Sequence, residues 1–266
     1  MTVSLIIATY NWPEALLLVL KSIENQSVLP NEILIADDGS REETKNLISA
    51  FSKKSKLNVI HIWHEDQGFR LAKIRNKAIV NAKFEYIIQV DGDVILHKNY
   101  IKDHIKNAKK NSFLTGPRVL LSKETTITTL KNETIFFNPF SKKIKNRFNA
   151  VYFPLVNYFI DSKTEPIEKL IFKVRGCNMS FWRNDLLEVN GYDEQFTTWG
   201  REDSEIASRL IKKGVGLKKL RLAGIQYHLH HNEQDKNNIG QNNAILDKNK
   251  STSSFWCENG IVKENK

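Results

Sequence analysis

Hydrophobic positions in the first third of the chain switch between two periods. Val3-Ser4-Leu5-Ile6-Ile7-Ala8 is an uncharged run of strand length, as expected of a strand covered on both faces. Leu16, Leu17, Leu20 and Ile23 then recur at helical spacing, behind Asn11 as a helix cap and Pro13 in the first turn. Glu32 to Ala36 is a second strand, and Ser40 with Glu43 forms a capping-box pattern for the next helix. Leu57 to Trp63 alternates as a third strand. Arg70 to Ala82 is helical through Leu71, Ile74, Ala78 and Ile79, and Tyr86 to Val90 is a fourth strand. Such alternation implies right-handed crossovers. The expected fold class is α/β, with a Rossmann-like, mostly parallel central sheet flanked by helices in a single large domain.

Two of these strands end in acids. The second runs into Asp37-Asp38-Gly39-Ser40 and the fourth into Asp91-Gly92-Asp93. Either turn alone is an ordinary polar turn. Ligands of open α/β sheets, however, sit at the carboxyl ends of the strands. Two acidic turns at one such edge point to a hard cation and a polyphosphate.

From Lys102 to Lys173 the pattern loosens. Lys106, Lys109, Lys110, Lys142, Lys143, Lys145 and Arg147 are interleaved with Phe136, Phe137, Phe140, Phe148, Tyr152, Phe153, Tyr158 and Phe159. The favoured reading is a solvated basic surface over a small aromatic core. The functional alternative is a membrane-surface or acceptor-binding patch.

Order returns at Val174. Trp199-Gly200-Arg201 leads into Glu202-Asp203, and Ile206, Ala207, Leu210 and Ile211 then mark one face of a helix with Gly214 past its end. The acids open that helix, where the macrodipole favours the ionised form. A short strand, Gly224 to Tyr227, precedes His228-Leu229-His230-His231, and three imidazoles in four residues are metal-ligand candidates. The Asn/Lys-rich tail from Asn232 reads as flexible, with Phe255 and Trp256 as candidates for docking back.

Composition narrows the classes. In 266 residues, 41% are hydrophobic, which suits a globular chain with ample core. The net charge of +10 suits a nucleoside diphosphate, an anionic membrane surface or nucleic acid. Nucleic acid is set aside because no binding motif for it is present. Cys177 and Cys257 do not make a disulfide framework, which fits a reducing compartment. No signal peptide is visible, and no apolar run approaches the ~20 residues of a membrane span.

SLIIATYN, the DDGS turn, GFRLAKIRN, the DGD turn, GCNMSF, WGREDSE and YHLHH occur in one order. That ordered set resembles glycosyltransferase family 2, of the GT-A fold. The branch is one whose C-terminal part is similar to β-1,4-galactosyltransferases and bacterial chondroitin polymerase. The resemblance covers a nucleotide-sugar-binding half, 1–110, and an acceptor-binding and catalytic half, 174–232. It leaves 111–173 as a variable basic and aromatic insert and 233–266 as a polar tail.

The resemblance implies roles. Tyr10, Asp38, Phe69, Arg70 and Asp91 would hold the nucleotide, with Lys73 adding charge near the diphosphate. Asp93 and His228 would hold Mn²⁺ or Mg²⁺, with His230 and then His231 as fallbacks. Asn178, Trp199 and Glu202 would face the donor or acceptor sugar, and Asp203 would be the catalytic base. The implied reaction is inverting transfer of a hexose or N-acetylhexosamine from a nucleotide sugar, UDP-linked by resemblance, to a glycan or lipid-linked glycan hydroxyl. The implied setting is cytoplasmic, with peripheral contact at the inner face of a membrane left open. Two departures bear on the acceptor: Arg201 stands where the pattern usually has Gly, and Ser204 where several relatives carry an acid. A non-catalytic nucleotide-sugar-binding protein and a nucleotidyltransferase on a similar sheet are the other readings.

Overall fold

The computed structural model describes residues 1–141, 144–159, 167–232 and 239–263. β1 (Val3–Thr9) is buried along its whole length. It lies between β2 (Glu32–Asp37) and β4 (Tyr86–Asp91), parallel to both. β3 (Val59–Trp63) extends the parallel set beyond β2. Between these strands run α1 (Pro13–Glu24), α2 (Glu42–Lys54) and α3 (Leu71–Asn81). The chain continues through β5 (Val94–Leu96), α4 (Tyr100–Asn107), β6 (Ser112–Thr115), β7 (Arg118–Leu120) and α5 (Lys123–Asn132). Two single turns, α6 (Val156–Phe159) and α7 (Ile167–Leu170), precede β8 (Asn178–Trp182) and α8 (Arg183–Glu188). Then come α9 (Glu202–Lys212), β9 (Gly216–Lys219), β10 (Gln226–His228) and α10 (Ile239–Ser251).

The main sheet has the order β3-β2-β1-β4-β8-β6-β9, and β8 alone runs against its neighbours. The alternating faces of β1, β2 and β4 feed two cores. Leu5, Ile7, Ile33, Ile35 and Ile88 meet α1, α2 and α4. Ile6, Leu34, Ala36 and Ile87 meet α3, α8 and α9. A second sheet, β5-β10-β7, packs Ile95, Val119 and Tyr227 on Ala15 and Leu18 of α1. α1 is therefore buried on two sides, which is why Ala15, Leu18 and Val19 join the core while Leu17 stays half-buried.

Several sequence expectations change. Asn11 does not cap α1. It adopts φ 46°, and its Oδ1 accepts from Arg41 N, tying the β1 loop to the β2 loop. Ser40 forms no capping box, because its hydroxyl accepts from Asn11 N and the cap position falls to Arg41. The irregular stretch supplies β6 to the main sheet and β7 to the second. Of its described aromatics, Phe136, Phe140, Phe148 and Phe153 are 53–88% exposed, whereas Phe137 and Tyr152 are partly buried against the core of the second sheet. Lys142, Lys143 and the side chains of Tyr158 and Phe159 lie outside the described residues.

The tail folds back, but not through Phe255 and Trp256, which remain exposed. α10 packs on α9 instead, with Leu246 in the core and Asn242 Nδ2 donating to the carbonyls of Thr198, Trp199 and Gly200. Cys177 and Cys257 are free and buried. No helix among the described residues is long and apolar enough to cross a membrane.

Candidate active site

Consecutive strand order reverses around β1, between β2 and β4, and the acidic turns gather at that crevice. Gly92 closes the end of β4 by donating its N–H to Ala8 O at 2.6 Å. A Cβ there would fall 2.8 Å from Thr9 Oγ1, so the close approach requires glycine. Beyond Gly92 the chain enters β5 in the second sheet. Asp91 therefore belongs to one sheet and Asp93 to the seam with the other.

On the β1–β2 side, the Tyr10 hydroxyl donates to Asp66 at 2.9 Å while half its ring surface stays exposed. Asp38 is buried. It accepts from His64 Nε2 at 2.6 Å and from Arg70 N at 2.9 Å. Burial pushes its pKa up, against both hydrogen bonds. Asp38 thus fixes the start of α3 and holds Phe69 and Arg70 at the same rim as Tyr10. The Arg70 guanidinium donates to Phe69 O, and Lys73 is half-buried.

The centre of the site is a residue that the sequence reading passed over. Arg75, 1% exposed, donates Nη2 to Asp91 Oδ1 at 3.0 Å and Nη1 to Asp203 Oδ1 at 3.1 Å, with Glu202 Oε1 at 3.9 Å. Its ion pairs more than offset burial, so the pKa is raised and the cation is permanent. Burial pushes Asp91 up to about 6, although Arg75 pulls the other way. Glu202 is pushed up to about 8 by burial and by the charge of Asp203, and its Oε2 has no partner among the described residues. At neutral pH one carboxyl of the group therefore carries a proton. A signal for Arg75 was present: it lies four residues after Leu71, on the apolar face of α3, and a buried cation requires partners.

Asp203 keeps 23% of its side chain exposed. Gly176 makes this possible, since a Cβ there would lie 2.0 Å from Asp203 Oδ2. Gln89 on β4 anchors that glycine by donating to its carbonyl at 2.9 Å and is itself held by the Tyr192 hydroxyl. Trp199 is 41% exposed on the loop before α9. Asn178 does not reach the opening. It is fully buried, and its amide bonds Tyr100, His104 and the carbonyls of Pro117 and Gly224, so it braces the floor of the site.

Across the seam, Asp93 Oδ2 lies 3.6 Å from His228 Nε2 and 3.2 Å from His231 Nε2. One ligand atom from each lies within 4.8 Å of the others. The first fallback, His230, is not in this group; its N–H donates to Thr126. His228 Nδ1 faces Leu229 O and His231 Nδ1 faces Asn232 O, both at 2.7 Å. A carbonyl only accepts, so both Nδ1 atoms are protonated and both Nε2 atoms are turned to the carboxylate. Burial lowers the His228 pKa below the ordinary imidazole value, whereas the hydrogen bond to Asp93 raises that of His231 to about 9. Asp93 Oδ1 is buried with no partner among the described residues. One oxygen and two imidazoles, with an orphaned oxygen beside them, fit a divalent cation.

The family model described as Glycosyl transferase family 2 matches residues 4–163. The chain belongs to glycosyltransferase family 2. A second model, described as N-terminal domain of galactosyltransferase, matches residues 168–232. The family 2 chain is 27% identical to chondroitin synthase of Escherichia coli over 239 residues, 85% of this chain and 34% of that protein. It is 26% identical to hyaluronan synthase of Pasteurella multocida over 232 residues, 82% of this chain and 23% of that protein. It thus spans about a third or less of the length of these relatives. Among solved structures, S. aureus TarS in complex with UDP-GlcNAc superposes with a TM-score of 0.61 at 16% identity, covering 94% of this chain and 66% of that one. The mannosyltransferase PcManGT from Pyrobaculum calidifontis, in complex with GDP-Man and Mn²⁺, gives 0.59 at 16%, covering 85% and 56%. The family 2 chain therefore has the GT-A fold.

Proposed function

We propose that this family 2 chain is an inverting, metal-dependent transferase that moves a hexose or N-acetylhexosamine from a UDP sugar to a hydroxyl of a glycan or lipid-linked glycan. The carrying observation is the Arg75 bridge, which fixes Asp203 beside the acidic strand end while leaving part of its carboxylate open. Similarity to structures holding UDP-GlcNAc or GDP-Man with Mn²⁺ supports a nucleotide sugar and a divalent ion.

Tyr10, Asp38, Phe69 and Arg70 line the nucleotide end, and Asp91 lies next to it. Asp93, His228 and His231 would hold Mn²⁺ or Mg²⁺, which supplies charge neutralisation for the departing diphosphate. The acceptor oxygen bonds the anomeric carbon from one side as the bond to the diphosphate oxygen breaks on the other. Asp203 takes the hydroxyl proton, a role worth ~10²–10⁴ in rate. Arg75 keeps Asp203 aimed. Glu202, holding a proton at neutral pH, serves as a donor to a sugar oxygen, and Trp199 offers its exposed face to a sugar ring. The exposed Phe136, Phe140, Phe148 and Phe153, with Lys145 and Arg147 nearby in sequence, support peripheral contact with an anionic bilayer.

The test is Asp203→Asn. Its affinity for UDP with Mn²⁺, measured by calorimetry, should match wild type while transfer falls by ~10²–10⁴. Near-normal turnover would remove Asp203 from the base role.

A further inference from the structure

Arg201 sits two residues before Asp203, with φ 79° and ψ −16°. That is left-handed backbone, which glycine adopts freely and a side chain disfavours. Arginine is held there by contacts to two other segments. Its Nε donates to Asn243 Oδ1 of α10 at 2.7 Å. Its guanidinium carbon lies 5.0 Å from the ring centre of Phe172. One contact fixes the direction of the guanidinium and the other gives it a face to stack on.

The acids around it are engaged elsewhere. Asp203 and Glu202 face Arg75, and Glu205 is bound by Arg209 at 2.5 Å. Among the described residues no carboxylate pairs with Arg201, so its outer two nitrogens are left as a fork with no anion. The fork is half-buried. Two exposed aromatic rings accompany it: Phe172, 44% exposed, beneath the guanidinium, and Trp199, 41% exposed, on the same loop. A fixed guanidinium fork suits a carboxylate or phosphate in bidentate geometry. Exposed aromatic faces suit the apolar face of a sugar ring.

We infer that Arg201 selects an acceptor carrying an anionic group, a carboxylate or a phosphate, on or next to the sugar that presents its hydroxyl to Asp203. The inference rests on the transferase reading in one respect: Asp203 marks where the acceptor lies. The ordering of the side chain is already complete before the acceptor arrives, so little further entropy is lost when it binds.

The experiment is a ligand-observed NMR titration of the full chain with UDP and Mn²⁺ present. Three probes are compared: methyl β-D-glucuronide, methyl β-D-glucoside 6-phosphate and uncharged methyl β-D-glucoside. Wild type should bind at least one charged probe ~10-fold more tightly than the neutral one, and the tighter of the two names the source of the anion. In Arg201→Gly, which relieves the backbone, that preference should collapse. In Arg201→Lys, which keeps charge without the fork, it should be partly retained. Equal binding of all three probes by wild type, no binding of any, or an undiminished preference in Arg201→Gly would overturn the inference. UDP affinity and the Asp203→Asn transfer assay report separately on the transferase reading.

Discussion

Arg75 Nη1 lies 3.1 Å from Asp203 Oδ1, joining residues 128 positions apart in the chain. The same guanidinium holds Asp91 at the end of β4. One buried cation therefore locks the end of β4 to the first turn of α9. Arg75→Met leaves these carboxylates without their counter-charge. A buried pair broken on one side costs ~3–5 kcal/mol. Urea unfolding should show a loss of that order, and transfer should fall further than the folded fraction does. Arg75→Lys should recover part of the stability and less of the rate, since a point charge cannot serve both carboxylates with the same geometry.

Gly176 is a second determinant of that geometry. Because a Cβ would meet the Asp203 carboxylate at 2.0 Å, Gly176→Ala has to push that carboxylate aside. A displacement of about 1 Å costs ~10² in rate. Transfer should drop by that factor while UDP binding, measured by calorimetry, stays close to wild type.

The His228–His231 pair makes a claim about metal affinity. His231→Ala removes one of two imidazoles turned toward Asp93 and should weaken Mn²⁺ binding by ~10-fold or more. A Mn²⁺ titration followed by electron paramagnetic resonance reads this without nucleotide or turnover. His230→Ala, whose backbone alone is tied to Thr126, should leave the titration unchanged.

Glu202 ties stability to pH. Its ordinary value is 4.5 and the folded state raises it to about 8. The folded protein therefore binds the proton more tightly than the unfolded chain. Stability from this group is complete below pH ~4.5, falls as pH rises toward ~8 and is then constant. Glu202→Gln removes that slope. Melting curves from pH 5 to 9 should show wild type losing stability relative to the variant across this interval, by an amount on the order of a few kcal/mol.

Local pattern carried much of the architecture. β1, β2 and β4 are legible because strands covered on both faces carry unbroken apolar runs, and α9 because Ile206, Ala207 and Leu210 repeat at helical spacing. The acidic strand ends were equally visible, since parallel topology puts them at one edge. The caps at Asn11 and Ser40 were misread because those side chains bond each other's loops rather than their own helices. β6, β7 and α10 escaped notice because each is defined by a partner distant in sequence. A three- or four-residue strand has no period of its own, and Asn242 is just another polar residue until it meets the carbonyls of Thr198 to Gly200.

By itself, then, the amino-acid order determined which residue types end the strands, which helix opens with acids and which segment gathers imidazoles. Only the tertiary structure decided that Arg75 sits among three carboxylates, that His231 rather than His230 joins His228, and that Asn178 faces inward. The physical reason is that hydrophobic period is written between neighbours in the chain. Charge pairing and ligand geometry arise instead between atoms that meet only after the sheet, its crossovers and the returning tail have packed.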